Sequence, residues 1–113
     1  METRPLIEVT SHDGEGFMVV NKFQGWKVGI LKYNERFSKF TEMERHLLTD
    51  EVFILIQGSA KLYTETQEVE MEFSKSYNVP KGVWHHIVVS KDAKVIVVEN
   101  SDTSKDNTEK RYL

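Results

Sequence analysis

The sequence contains no cysteine, which excludes disulfide bonds and leaves histidine and carboxylate side chains as the ligands for any metal ion. No apolar run approaches the ~20 residues that span a bilayer, and the start of the chain is too polar for a signal peptide. Basic runs are also absent, because 15 basic and 18 acidic residues are scattered along the chain and give a net charge of −3. We therefore expect a cytoplasmic protein that binds neither nucleic acid nor membranes.

The length of 113 residues is enough for one domain with a single core. Short segments rich in β-branched and aromatic residues follow one another between Phe17 and Glu99, separated by turn residues. This pattern predicts an all-β fold of eight or more strands, arranged as a closed barrel or a double sheet, with little or no helix. We expect an extended segment and loop over residues 1–16, a barrel over 17–100 and a polar surface tail over 101–113.

One stretch in the middle of the chain combines possible metal ligands with a buried strand. Glu44 and His46 are two residues apart, so their side chains share one face of a strand, and Glu51 follows after a turn. The next residues, Val52 to Ile56, are apolar on both faces, as in a strand that is buried on both sides. A short helix over residues 41–48 is the alternative, because Glu, Met, Arg and Leu favour helices. We prefer the hairpin.

A second stretch supplies a further ligand. Pro80 and Gly82 form a tight turn that begins a strand carrying His85. Together with the first stretch this gives two imidazoles and two carboxylates. The adjacent His86 points to the opposite face of the strand and is expected to be an outer or interface residue, although a shift of one residue in register would exchange the two histidines.

These residues resemble the two motifs of the cupin superfamily, in particular its small, single-domain cupin-2-like barrels. The first motif, Gly, five residues, His-x-His, three or four residues, Glu, six residues, Gly, is matched at His46, Glu51 and Gly58. The second, Gly, five residues, Pro-x-Gly-x-x-His, three residues, Asn, is matched by the Pro80 turn and His85. The positions that depart from the motifs are Ser38, Glu44, Ser74 and Val89, which stand in place of Gly, His, Gly and Asn. The resemblance implies a jelly-roll barrel, a double-stranded β-helix, that often holds a metal ion.

The donor set predicts one divalent transition metal, which is zinc, iron, manganese or nickel, bound by Glu44, His46, Glu51 and His85. Glu44 replaces an imidazole and shifts the site toward oxygen donors, and it is also the candidate catalytic base. The ordinary alternative is that both glutamates are solvated at a hairpin end and both histidines are partly buried polar residues. The paired motif spacing favours the metal site.

The apolar residues on the faces of Glu51 and His85 predict a pocket for a small organic ligand, lined by Phe53, Leu55, Val83 and Ile87. The cupin fold hosts many functions, so the resemblance does not name a reaction. One hypothesis is a metal-dependent enzyme for a small oxygenated substrate, of oxygenase, isomerase or lyase type. The other is a non-catalytic module that binds a small molecule or sugar, with a structural metal or none. We also expect a homodimer, because one small barrel leaves an apolar face uncovered at Val52, Ile54 and Ile56.

Overall fold

The computed structural model describes residues 6–113. Residues 1–5 of the predicted N-terminal segment, including Pro5, lie outside the described range. Within it, ten strands are numbered β1 to β10 in chain order: Phe17–Phe23, Trp26–Lys32, Glu42–His46, Glu51–Gln57, Ala60–Thr64, Glu68–Glu70, Tyr77–Val79, His85–Val89, Lys94–Glu99 and Thr108–Tyr112. The helical content of the described residues is two single-turn 3-10 helices, Glu35–Phe37 and Lys105–Asn107. This confirms the predicted all-β fold class, and Glu42–His46 is a strand rather than the alternative helix.

The strands form two five-stranded antiparallel sheets with the orders β1-β2-β9-β4-β7 and β10-β3-β8-β5-β6. Alternation along each strand directs one set of side chains between the sheets, where they bury their apolar surface against each other. Val95 and Val97 of β9 are the most completely buried large side chains. The rest of the core includes Leu31, Phe37, Phe53, Leu55, Leu62, Met71, Val79, Ile87 and Val89.

Two glycine turns hold the ends of the strands that carry the candidate ligands. Gly58, which follows β4, has a φ of +74°, and a Cβ there would lie 2.7 Å from the Ala93 Cα. Gly82 precedes β8 with a φ of +83°, and its N–H donates to the His46 carbonyl at 2.9 Å. The second turn therefore joins the start of β8, where His85 lies, to the end of β3.

The C-terminal residues extend the barrel beyond the predicted boundary at residue 100. Strand β10 pairs antiparallel with β3, with Thr108 opposite His46 and Lys110 opposite Glu44. Its outward residue Glu109 accepts from the Arg45 Nε at 2.7 Å. Polar side chains on both faces of β10 conceal it from a hydrophobic pattern, so the predicted surface tail is an edge strand beside the candidate site.

The outer face of the first sheet carries the residues on which the dimer prediction depends. Val52 and Ile54 of β4 are half-buried, and Ile56 is 52% exposed. In the same register Ile54 lies opposite Ile96 of β9, and Ile96 lies opposite Ile30 of β2. An apolar row therefore crosses three adjacent strands on this face. Among the described residues no helix is long and apolar enough to cross a membrane.

Candidate metal centre

Three strands bring the four candidate ligands together inside the barrel. Glu44 and His46 lie on β3, Glu51 is the first residue of β4, and His85 is the first residue of β8. Glu44 pairs directly with His85 across the two strands. His46, Glu51 and His85 are each at most 7% exposed. The structure thus places all four residues that the spacing singled out around one point.

The carboxylate of Glu51 lies at the centre of this group. Its Oε1 is 2.9 Å from His85 Nε2 and 3.2 Å from His46 Nε2. Burial alone would raise the pKa of Glu51, but its contacts with the two imidazoles outweigh that effect and hold the pKa well below its usual range. Glu51 is therefore an ionised carboxylate in a buried position, which requires a cation beside it.

The orientation of His85 indicates what kind of cation fits. Its Nδ1 is 2.9 Å from the carbonyl oxygen of Val83, and since a carbonyl only accepts, Nδ1 must carry the hydrogen. If the ring is neutral, Nε2 carries no hydrogen, and its lone pair faces the Glu51 carboxylate oxygen at 2.9 Å. Two lone pairs at this distance repel each other unless a proton or a metal ion lies between them. A carbonyl contact on the second ring nitrogen is also how metal-bound imidazoles are usually oriented.

His46 also has a second partner for its ring, the Thr108 hydroxyl of β10, which can either donate to Nδ1 or accept from it. Its Nδ1 lies 2.9 Å from Thr108 Oγ1, while Nε2 is buried and has no aligned hydrogen-bond partner in the described part of the chain. Burial opposes the charged ring, yet the contact with Glu51 and the charges of Glu51, Glu44 and Glu99 raise the pKa of His46 above 6.5. An orphaned nitrogen in an anionic environment is a suitable position for a cation.

Glu44 is held from two sides. Its Oε2 accepts from the Arg36 guanidinium at 2.7 Å, and its Oε1 lies 3.7 Å from His46 Nε2. Arg36 belongs to the 3-10 helix Glu35–Phe37 that follows β2, and its Nε is also 3.4 Å from Glu42 Oε1. The guanidinium therefore occupies one oxygen of Glu44 and leaves the other directed toward the site.

The arrangement fits a divalent ion. Ligands that each lie about 2.1 Å from one ion are about 3.0 to 3.5 Å from one another. Three contacts between the proposed ligands are close to this range: His85 to Glu51 at 2.9 Å, His46 to Glu51 at 3.2 Å and His46 to Glu44 at 3.7 Å. The possible ligands form two groups of three residues, and in each group the ligand atoms lie within 4.8 Å of one another. His46 belongs to both groups. One consists of Glu44, His46 and His85, and the other of His46, Glu51 and Glu99.

Glu99 is the residue of this site that sequence reasoning missed. It is the last residue of β9, is 8% exposed, and has a buried Oε2 without a hydrogen-bond partner among the described residues. Burial and the neighbouring Glu51 carboxylate raise the pKa of Glu99 to about 8, so that it carries a proton at neutral pH. The signal for it was present, because Val95, Val97 and Glu99 alternate on the inward face of one strand.

The site opens into a cavity of about 570 Å³. Of the four predicted pocket residues, Phe53 and Ile87 line this cavity. Leu55 is in the core and Val83 packs against the core, so neither lines the cavity. The remaining apolar wall includes Phe17, Leu31, Phe37 and Val97. A mostly apolar cavity of this size with a few convergent polar groups suits a small organic ligand.

His86 differs from the expectation of an outer residue, because it is 3% exposed. Its ring stacks against Phe37 and Phe40, with centroids 6.2 and 6.0 Å away, and its Nε2 lies 3.1 Å from the Lys39 carbonyl oxygen. Burial and the charge of Arg36 lower the pKa of His86. The segment after β2 covers this face of β8, which the alternation of a single strand does not indicate.

Comparison with solved structures identifies the architecture. A cupin-2 domain protein from Shewanella frigidimarina is 23% identical over 81% of this chain and 84% of its own, with a TM-score of 0.63. The Streptomyces nucleoside dehydratase Pac13 is 10% identical over 90% and 83%, with a TM-score of 0.69, and its variants have been solved with uridine. KdgF from Halomonas is 15% identical over 80% of each chain, with a TM-score of 0.64.

No protein-family model matches the sequence, and no curated protein matches it. The likeness to the solved structures is therefore a likeness of fold, and it confirms the one that the paired motifs implied. The chain has the cupin fold. A cluster of histidine and glutamate side chains that could hold a metal ion lies inside its barrel.

Proposed function

We propose that this chain is a small metal-dependent enzyme that binds one divalent transition-metal ion through Glu44, His46, Glu51 and His85 and acts on a small oxygenated organic substrate. The observation that carries the proposal is the contact between His85 Nε2 and Glu51 Oε1. Because Nδ1 of that ring must donate to Val83, either a proton or a metal ion is needed between Nε2 and the carboxylate, and the further donors Glu44 and His46 beside them favour a metal ion. Cysteine-free nitrogen and oxygen donors suit zinc, iron, manganese or nickel.

When bound, such an ion supplies Lewis acidity toward a substrate oxygen or water. The protein side chains hold the rest of the machinery. Arg36 positions Glu44 by occupying one of its oxygens, so that Glu44 presents a single oxygen to the site. Phe53 and Ile87 exclude water from one wall of the cavity.

Two carboxyl groups are candidates for proton transfer. The sequence pattern indicates Glu44 for this role, and the geometry favours Glu99 because its Oε2 has no hydrogen-bond partner in the described chain. Lys27 donates to the Thr103 carbonyl, and its Nζ lies 3.7 Å from Glu99 Oε1. The lysine therefore holds one oxygen of the Glu99 carboxyl group and leaves Oε2 for proton transfer. We propose Glu44 as a ligand and Glu99 as the group that carries the proton.

Metal analysis of the purified protein, followed by an activity screen, tests this function. The screen begins with dehydration of hydroxylated compounds, because Pac13, which shares the fold, is a nucleoside dehydratase, and continues to isomerisation and oxygenation. We expect about one metal ion per chain and an activity that Glu99→Gln abolishes while the metal content stays unchanged. A protein that binds metal and small molecules but converts none of them is instead a binding module, and one that purifies without metal and takes up none when it is supplied contradicts the proposal.

A further inference from the structure

The cavity beside the candidate metal centre is rich in cations, although the chain as a whole is acidic. Four basic side chains line it: Lys27, Arg36, Lys105 and Lys110. The carboxylates that line it are Glu44, Glu51 and Glu99, and Glu42 lies behind Arg36. A divalent ion on the proposed ligands would leave the lining with a net positive charge. This local sign is opposite to that of the whole protein.

Two of these cations already have partners inside the protein. Arg36 is bound to Glu44 at 2.7 Å, and its side chain is one-third exposed. Lys27 donates to the Thr103 carbonyl at 2.8 Å, lies 3.7 Å from Glu99 Oε1, and has only 13% of its side chain exposed. Both are therefore used to position the site.

The other two cations are available to a ligand. Within residues 6–113, Lys105 forms no ion pair and its side chain is exposed. Lys110 Nζ lies 3.8 Å from Glu42 Oε2, a loose contact, and 45% of its side chain is exposed. The Glu42 side chain is only 13% exposed and its Oε2 has no hydrogen-bond partner in the described chain, so a bound anion would share Lys110 with Glu42 rather than release it.

Strand β10 explains why these lysines face the cavity. Lys110 is two residues from Thr108, whose hydroxyl contacts His46, so both side chains leave the same face of the strand. In the pairing with β3, Lys110 lies opposite Glu44. Lys105 lies in the 3-10 helix that leads into the strand. The C-terminal segment thus brings both ammonium groups to the side of the cavity where Glu44 and His46 lie.

We propose that Lys105 and Lys110 bind the anionic group, a carboxylate or a phosphate, of a small organic substrate whose oxygenated end lies against the metal centre. The inference rests on the proposed function for the direction in which the substrate lies. The anion contact itself depends only on the two lysines and the cavity. Ammonium groups bind both kinds of anion as point charges and do not select between them by shape.

Calorimetric titration of the zinc-loaded protein with glycerol, glycerate and glycerol 3-phosphate tests the proposal, because the three probes share a carbon skeleton and differ in charge. Both anions, or one of them, should bind, and glycerol should bind far more weakly. Which anion binds more tightly identifies the head group as carboxylate or phosphate. Binding should weaken as salt is raised toward about 0.5 M, where exposed charges are screened.

The double variant Lys105→Gln/Lys110→Gln should weaken anion binding by about tenfold or more, the usual effect of losing charge-assisted contacts. Lys94→Gln is the matched control, because Lys94 is an exposed lysine of β9 that does not line the cavity. It removes one positive charge and should change the affinity by less than about twofold. Thermal melting and zinc content of every variant verify that fold and metal site are intact.

The proposal is overturned if the double variant binds the anions as tightly as the wild type, if glycerol binds equally well, if Lys94→Gln has the same effect, or if neither anion binds at millimolar concentration. Failure of the metal centre is a separate result. It would appear as loss of zinc binding by the wild type, while lysine-dependent anion binding by the metal-free protein would still be measured. The two ideas can therefore fail independently.

Discussion

The replacement of His85 with Ala provides the sharpest test of the candidate metal centre. The change removes one of the two imidazoles that contact Glu51 and leaves the ionised carboxylate of Glu51 with His46 alone. We expect the metal content and the metal-dependent part of the melting temperature to fall together, because a ligand that binds only the folded protein stabilises it by mass action.

The magnitude follows from the binding equilibrium. Free metal at about a thousandfold above Kd stabilises the folded state by about 4 kcal/mol. For a chain of this size each kcal/mol moves Tm by about 4 °C, so the metal should raise Tm by roughly 15 °C. Loss of a direct ligand should weaken binding by at least about 100-fold. The same metal concentration then contributes about 1.4 kcal/mol, or about 5 °C.

The assay compares thermal melts with and without chelator and measures metal content by mass spectrometry. His86→Ala is the control, because its ring is buried in the same strand but contacts Phe37, Phe40 and the Lys39 carbonyl. It should lower the free energy of unfolding by about 2 to 3 kcal/mol, with and without metal, through lost packing, while the increase in Tm that the metal produces stays intact. Full metal occupancy in His85→Ala, or loss of the ion in His86→Ala, would refute the assigned ligand set.

Three further predictions concern pH, backbone strain and assembly. In the metal-free protein, Glu99 (pKa raised from 4.5 to about 8) and His46 (pKa raised above 6.5) bind more protons when folded, so Tm should fall as pH rises between pH 6 and 8. Metal affinity should rise over the same range, because the ion displaces the proton of its ligand His46, and parallel pH profiles with and without metal would contradict this. Ser74→Gly should raise the stability by about 0.5 to 1 kcal/mol in urea unfolding, since Ser74 has a φ of +66°. Light scattering at micromolar concentration should show a dimer, because an apolar row crosses the outer face of β4. The Ile56→Lys variant should be monomeric, and a wild type that is only monomeric would contradict the dimer.

The fold was predictable because the two motifs are local. Each motif consists of a turn and the strand next to it, and the spacing from His46 to Glu51 and from Pro80 to His85 determines which side chains share a face. Ser74 illustrates how far such matching extends. It stands at a glycine position of the second motif and adopts the left-handed backbone that the glycine would provide, so the turn survives the substitution at some cost in strain.

The features that were missed depend on contacts between distant parts of the chain. Strand β10 has polar side chains on both faces because its inner face borders the cavity and its outer face forms ion pairs, so no apolar alternation marks it. His86 is buried because the segment near Phe37 folds over it. Glu99 lies in the site because β9 pairs with β4 and thereby brings the two strand ends together. None of these pairings is encoded in a local spacing.

The exchange of an imidazole for Glu44 connects the metal centre to the charge of the cavity. The two carboxylates among the proposed ligands, Glu44 and Glu51, would balance a divalent ion, so the filled centre would be nearly neutral inside a low-dielectric barrel. Arg36 is consumed in holding Glu44, and Glu99, with its pKa raised to about 8, adds little negative charge at neutral pH. The ammonium group of Lys105 therefore has no counter-charge within the filled site, and that of Lys110 has only the Glu42 carboxylate at 3.8 Å. If Glu44 were changed to His, the filled centre would gain one positive charge, and anion binding should become tighter while its dependence on the two lysines becomes weaker.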